Sequence, residues 1–271
     1  MKRRKLLRVA LFGAIVAAAL ALSLALVPRR ERRAPALSRT PAGGAAQVDD
    51  VRDSSAGASI VEDARRYDVR VWSFGLDRYE LRIEDAAMTT ALDKVLTRSG
   101  AELVVNGGFF DPDGKPVGLV VSGGAVLSRL RTNLSGGVFT SNGSRAELFA
   151  SEGFSLPDGA TFAVQCRPRL VVDGSANVKG DDGKRAERTA LCARDGGRTV
   201  DVVIVRGSDD GESRGPSLFA FARYLADSGC EAALNLDGGP STGVAWREGE
   251  DVKLLAPRGQ VRHVIAFHER R

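Results

Sequence analysis

Beyond residue 68, apolar positions come in short runs separated by Gly, Asp and Asn, a pattern of successive short strands. It predicts strands at 69–74, 79–83, 102–105, 117–121, 137–140 and 146–149. Further runs at 161–165, 169–172, 189–193, 200–205 and 263–268 continue it. Helical spacing occurs twice. Leu92, Val95 and Leu96 fit one face of a helix ending near Gly100, and Leu218, Phe221, Ala222 and Leu225 fit another between Pro216 and Gly229. The expected class is α+β, a single domain over residues 59–271 built mostly of β sheet with a few helices.

Each helix feeds a strand with the same ending. SGAELVVNGG (99–108) and SGCEAALNLDGG (228–239) both run from a glycine stop through an apolar strand to a polar residue and a Gly-Gly pair. Asp is a poor strand residue, and adjacent glycines give up backbone order. If the two strands lie side by side, Asn106 and Asp237 face one cleft, with backbone free to approach a ligand. Tight turns alone would also account for the pattern.

The N-terminus is different in kind. A basic tail (1–5) precedes a span from Leu6 to Val27 interrupted only by Arg8 and Ser23, and RRERR follows. The uninterrupted stretch from Val9 is about long enough to cross roughly 30 Å of hydrocarbon as a helix. We read 6–27 as an uncleaved signal anchor, with a cleaved signal peptide as the alternative, and 28–58, rich in Arg, Ala, Pro, Gly, Ser and Asp, as a disordered tether. This places the folded part outside the cytoplasm, in the periplasm or at the cell surface. The charge agrees with that division. The chain carries +5 in total, but residues 1–33 hold nine Lys or Arg and one Glu, so residues 34–271 carry −3 and lack the basic surface of a nucleic-acid binder. Cys166, Cys192 and Cys230 permit one disulfide and one spare thiol without indicating the pair, and none has metal-ligand spacing.

Three ordered segments, NGGFFDPDGKPVGLVVSGG (106–124), RTALCARDGG (188–197) and NLDGGPSTGV (235–244), resemble the phosphodiester glycosidase family. The ending PRGQVRHVIAFHE (257–269) does so too, and the likeness spans about residues 65–269. It implies hydrolysis of the bond between a sugar's anomeric carbon and a phosphate esterified to another group, in envelope or exopolysaccharide glycans. The sequence departs from the family pattern at Pro240, where a third glycine is usual, and at Thr242. It departs again in QCRPRLV (165–171), where Cys166 and Arg167 replace Ser-Gly. No resident cofactor is implied, and a divalent metal is left open.

Glycoside cleavage proceeds through an oxocarbenium-like transition state and usually needs two carboxyl groups. A departing phosphomonoester is already a stable anion with a second pKa near ~6, so cationic stabilisation matters more than acid assistance. The expected catalytic set is therefore Asp237 at the anomeric carbon, Arg188 on phosphate oxygens, Asn106 on sugar hydroxyls or phosphate, and Asp111 as second carboxylate. Glu102, Glu187 and Asp173 are alternatives to Asp111. Expected binding groups are the amides of Gly107 and Gly108, Gly238 and Gly239, and the hydroxyls of Thr189 and Ser241. His263 reads as a hydrogen-bonded structural imidazole that can also line the pocket. As a calcium loop, 111–115 fails at Lys115, and Asp181-Asp182-Gly183 and Asp209-Asp210-Gly211 read as solvated turns.

Two other functions compete. Gly239-Pro240-Ser241-Thr242-Gly243 matches G-x-S-x-G, with Asp251 and His263 in the chain order of an α/β-hydrolase triad, but the elbow needs a helix after the serine. The altered 165–171 stretch and Pro240 also suit a saccharide-binding or assembly protein without turnover.

Overall fold

The computed structural model describes residues 53, 54, 57–208 and 214–271. The expected tail, the anchor, nearly all of the tether and the turn at 209–211 lie outside the described residues. Among the described residues no helix is long and apolar enough to cross a membrane.

In chain order the first strands are β1 Ser59–Glu62, β2 Arg65–Gly75 and β3 Tyr79–Thr89, followed by helix α1 Leu92–Ser99 and β4 Leu103–Asn106. Five strands come next: β5 Val120–Ser122, β6 Ala125–Ser128, β7 Gly137–Ser141, β8 Ala146–Ala150 and β9 Phe162–Cys166. Then follow β10 Arg169–Val172, β11 Ser175–Ala176, β12 Arg188–Arg194, β13 Thr199–Val205, helix α2 Leu218–Asp227 and β14 Ala232–Asn235. The chain closes with β15 Val244–Glu248, β16 Asp251–Leu255 and β17 Val261–Glu269.

These strands form three antiparallel sheets, ordered β1-β2-β13-β12-β14-β10-β11, β16-β15-β4-β17-β3 and β6-β5-β9-β7-β8. Alternation along the strands explains the stacking. Val200, Val202 and Ile204 of β13 join Ile265 and Phe267 of β17 and Phe139 and Phe162 of the third sheet in one central core. The opposite face of β13, through Val203 and Val205, packs with Phe221, Ala222 and Leu225 of α2. Val264 and Ala266 of β17 likewise meet Leu92, Val95 and Leu96 of α1. Strands covered on both faces read as continuous apolar runs, which is why β12, β13 and β17 are plain in the sequence.

Both helices end by identifiable means. Gly100 is left-handed (φ 70°) and donates to the Leu96 carbonyl, and the Ser217 side chain caps α2 by accepting from the Ala220 amide. The expected start at Pro216 therefore moves to Ser217, whose amide and hydroxyl are held by Glu62 at 2.8 and 2.5 Å. The strand expected from Val117 begins only at Val120. Gly118 (φ 101°) turns aside so that Gln165 can accept from the Leu119 amide at 3.0 Å. Cys192 and Cys230 form a disulfide that ties β12 to the entry of β14, and Cys166 is a buried free thiol.

Candidate active site

Leu236 is fully buried beyond the end of β14, and it anchors the chain where Asp237 emerges half-buried. Loss of solvation pushes the Asp237 carboxyl above its usual pKa, while the Ser241 hydroxyl and the Gly238 amide, 3.0 Å from Oδ1, pull it back. Gly238 has to be small, since a Cβ there would lie 2.7 Å from the Glu187 carbonyl oxygen. Gly239 is left-handed (φ 57°) and opens a 3₁₀ turn, Gly239–Ser241.

Asn106, at the end of β4, reaches this segment from a different sheet. Its Nδ2 donates to the Asp237 carbonyl at 2.6 Å, and Oδ1 accepts from Thr189 Oγ1 at 2.8 Å and from the Gly243 amide at 3.2 Å. The Asp237 amide in turn donates to the Gly107 carbonyl at 3.2 Å. The two strands are therefore not ladder neighbours. They meet end to end, and the fully buried Asn106 amide locks the junction.

Asp237 and Arg188 line one cleft of about 720 Å³. Arg188 opens β12 and is 8% exposed. Its Nε donates to the Pro216 carbonyl at 3.0 Å and its Nη2 to the Lys184 carbonyl at 3.1 Å. Burial lowers its pKa, but a guanidinium stays cationic. Among the described residues no carboxylate lies within ion-pair distance of it, so its remaining N–H groups are uncommitted. Arg167, Arg169 and Lys184 line the same cleft, together with the carboxylates of Glu152 and Asp182, both on exposed residues.

The remaining predicted residues fall elsewhere. Asp111 sits in a turn where Oδ1 accepts from the Lys115 amide at 2.8 Å, and it does not line the cleft. The Gly107 and Gly108 amides donate to the His263 carbonyl at 3.0 Å and to His263 Nε2 at 3.1 Å, so they form no open concavity. A Cβ on Gly107 would overlap the His263 ring. Burial holds His263 down to a pKa of about 4, so it is neutral and bears its proton on Nδ1. Thr189 is fully buried against Asn106.

Of the other acids, Glu187 is buried and ion-paired to Arg206 at 2.8 Å and Arg258 at 3.3 Å. Glu102 lines a separate hollow with His268. Asp173 sits in the β10–β11 turn with a positive φ. Asn235 was not singled out in the sequence, yet its Nδ2 donates to the carbonyls of Arg167 at 2.8 Å and Leu236 at 2.7 Å. That role left no signal beyond its place in the 235–244 motif.

The α/β-hydrolase alternative fails on geometry. Ser241 is followed by strand β15 rather than a helix, Asp251 is ion-paired to Lys253 on an exposed hairpin, and His263 spends Nε2 on Gly108.

Comparison with known proteins agrees with this architecture. No curated protein matches the chain. A hypothetical protein from Synechocystis superposes with TM-score 0.59 at 16% identity over 78% of this chain, which spans 61% of that protein. The catalytic domain of zebrafish N-acetylglucosamine-1-phosphodiester alpha-N-acetylglucosaminidase, auto-inhibited by its pro-peptide, superposes with TM-score 0.58 at 18% identity. That match covers 79% of this chain and 81% of the zebrafish one. At such identities the likeness is one of fold. The phosphodiester glycosidase profile matches residues 99–267, from the end of α1 into β17 and across every residue lining the cleft, so the chain belongs to the phosphodiester glycosidase family.

Proposed function

We propose that the protein hydrolyses sugar-1-phosphodiesters in envelope or exopolysaccharide glycans, releasing free sugar and a phosphomonoester. One observation carries the reading: a desolvated carboxylate, Asp237, and a buried guanidinium with uncommitted donors, Arg188, line the same cleft. Family membership and the fold shared with the zebrafish enzyme support it.

The chemistry follows from that pair. Asp237 takes a proton from water as the water oxygen bonds to the anomeric carbon, and the bond from that carbon to the phosphate oxygen breaks. The leaving phosphomonoester departs as an anion and needs no proton, so Arg188 supplies charge stabilisation where an ordinary glycosidase would supply an acid. Desolvation makes the carboxylate a stronger base, and the Gly238 amide and Ser241 hydroxyl keep it oriented. Asn106 positions the Asp237 backbone from the neighbouring sheet, and Thr189, which also reaches Thr242, holds the Asn106 side chain in place. The setting outside the cytoplasm rests on the N-terminal apolar span and accords with the Cys192–Cys230 disulfide, a bond of oxidising compartments.

The test is incubation of the full-length chain in detergent with N-acetylglucosamine 1-phosphodiesters, with assay of free sugar and phosphomonoester. Release of both in equal amounts is expected. Binding without turnover would instead favour the saccharide-binding reading.

A further inference from the structure

Arg188 accounts for one phosphate, but the cleft holds two more guanidinium groups, Arg167 and Arg169. Their backbone is tightly fixed beside the Asp237 strand. Asn235 Nδ2 donates to the Arg167 carbonyl at 2.8 Å, the Asn235 amide donates to the Pro168 carbonyl at 3.0 Å, and Arg169 pairs in register with Leu234. Their stems are seated as well. A Cβ on Gly136 would lie 2.7 Å from the Arg167 Cβ, and one on Gly137 would lie 2.6 Å from the Arg169 Cγ. Two consecutive glycines thus leave room for two arginine stems beside the cleft that both residues line.

Among the described residues neither head makes an ion pair or a side-chain hydrogen bond. Lys184, by contrast, is 3.5 Å from Asp182 and is already matched. Arginine forks of this kind fit phosphate or carboxylate oxygens. Asp237 and the exposed Glu152 also line the cleft, but neither is ion-paired to Arg167 or Arg169, so both forks stay available to an anion beyond the diester phosphate that Arg188 takes. The extra anion belongs on the leaving group, because on the sugar it would sit nearest Asp237 and be repelled.

We propose that the preferred substrate is a sugar-1-phosphodiester whose leaving group carries a second anion, a phosphate or carboxylate, held by Arg167 and Arg169. This rests on the sugar-phosphodiesterase reading above. It makes anionic chains with repeating phosphates better substrates than diesters of neutral alcohols.

The experiment compares the N-acetylglucosamine 1-phosphodiesters of glycerol and of glycerol 3-phosphate, using the full-length chain in detergent. The wild type should favour the second in kcat/KM by at least about tenfold at low salt, with the preference shrinking as salt rises. In the double variant Arg167→Gln, Arg169→Gln the ratio should fall to about one. A wild-type ratio near one, a ratio unchanged in the variant, or a larger preference for a diester carrying a carboxylate on the sugar would overturn the proposal. Should the variant not fold, the salt series on the wild type decides, since a salt-insensitive preference would overturn it equally.

A binding arm needs no turnover. Calorimetry should show tripolyphosphate bound at least about tenfold more tightly than orthophosphate by the wild type, and this gain should vanish in the variant. Turnover absent with the gain present would sink the hydrolase reading and leave the second-anion site standing. Equal binding of the two would sink the site.

Discussion

Two stretches of this chain share one grammar and do opposite things. In both, a helix, a glycine stop and an apolar strand lead to a polar residue and Gly-Gly. At 106–108 the ending turns inward: the Asn106 amide is fully used, and both glycine amides donate to His263 on the adjacent strand. At 237–239 it turns outward: the carboxylate and both glycines line the cleft. A Gly-Gly pair states only that something approaches the backbone closely, and the neighbour can be an imidazole of the same protein as readily as a substrate.

The comparison can be tested at each end. The largest effect is expected from Asp237→Asn, which should lower kcat/KM by at least ~100-fold in the diester assay while preserving the fold. Its stability should move the other way. A carboxyl whose pKa is raised on folding binds more protons folded than unfolded between the two values, so the wild type loses stability as pH rises through that window. The variant is spared this loss. Its Tm should exceed the wild type's at pH 7, and the difference should close in acid below the ordinary carboxylate range.

Next comes the inward unit's own pH dependence. His263 titrates near 4 when folded and near 6.5 when unfolded, so the unfolded chain binds more protons in between. The contribution is fully present above pH 6.5 and is lost as pH falls toward 4, on the order of 3 kcal/mol in all. Urea unfolding of His263→Gln across that range should show a flatter profile.

Gly107→Ala should cost about 2–3 kcal/mol, because the new methyl meets the ring and the carbonyl of His263, fixed on the adjacent strand β17. Gly239→Ala should cost less, about 1 kcal/mol, since φ is positive there but the new Cβ would lie 4.0 Å from its nearest neighbour, the Ala186 Cβ. Equal costs at the two sites would dissolve the distinction drawn here.

How much could be read in advance depended on burial. Strands covered on both faces, such as β12, β13 and β17, announce themselves as apolar runs. The edge strands β6 and β16 expose most of their side chains, and β15 alternates only briefly before Gly249, so none of these three stood out. The ordered motifs marked Asp237 and Arg188, which the fold brings to one cleft. What they could not tell was where each amide spends its hydrogen bonds. Asn106 has every group committed inside the protein, and Asn235 works through two carbonyls, neither of which is visible as a side-chain pattern. Arg167 and Arg169 flank a proline in a stretch that looked like lost backbone freedom, whereas their seats are glycines some thirty residues earlier in the chain.

Strand β4 lies between β15 and β17, both made from the last thirty residues of the chain. Asn106 therefore waits, during synthesis, for partners about 140 to 160 residues downstream before its end of the sheet can close. A ribosome-bound chain has already made Arg188 and Asp237 yet still lacks the strands that hold their junction in place. Loss of β17 alone would leave a polypeptide with its acid and its arginine present but unassembled.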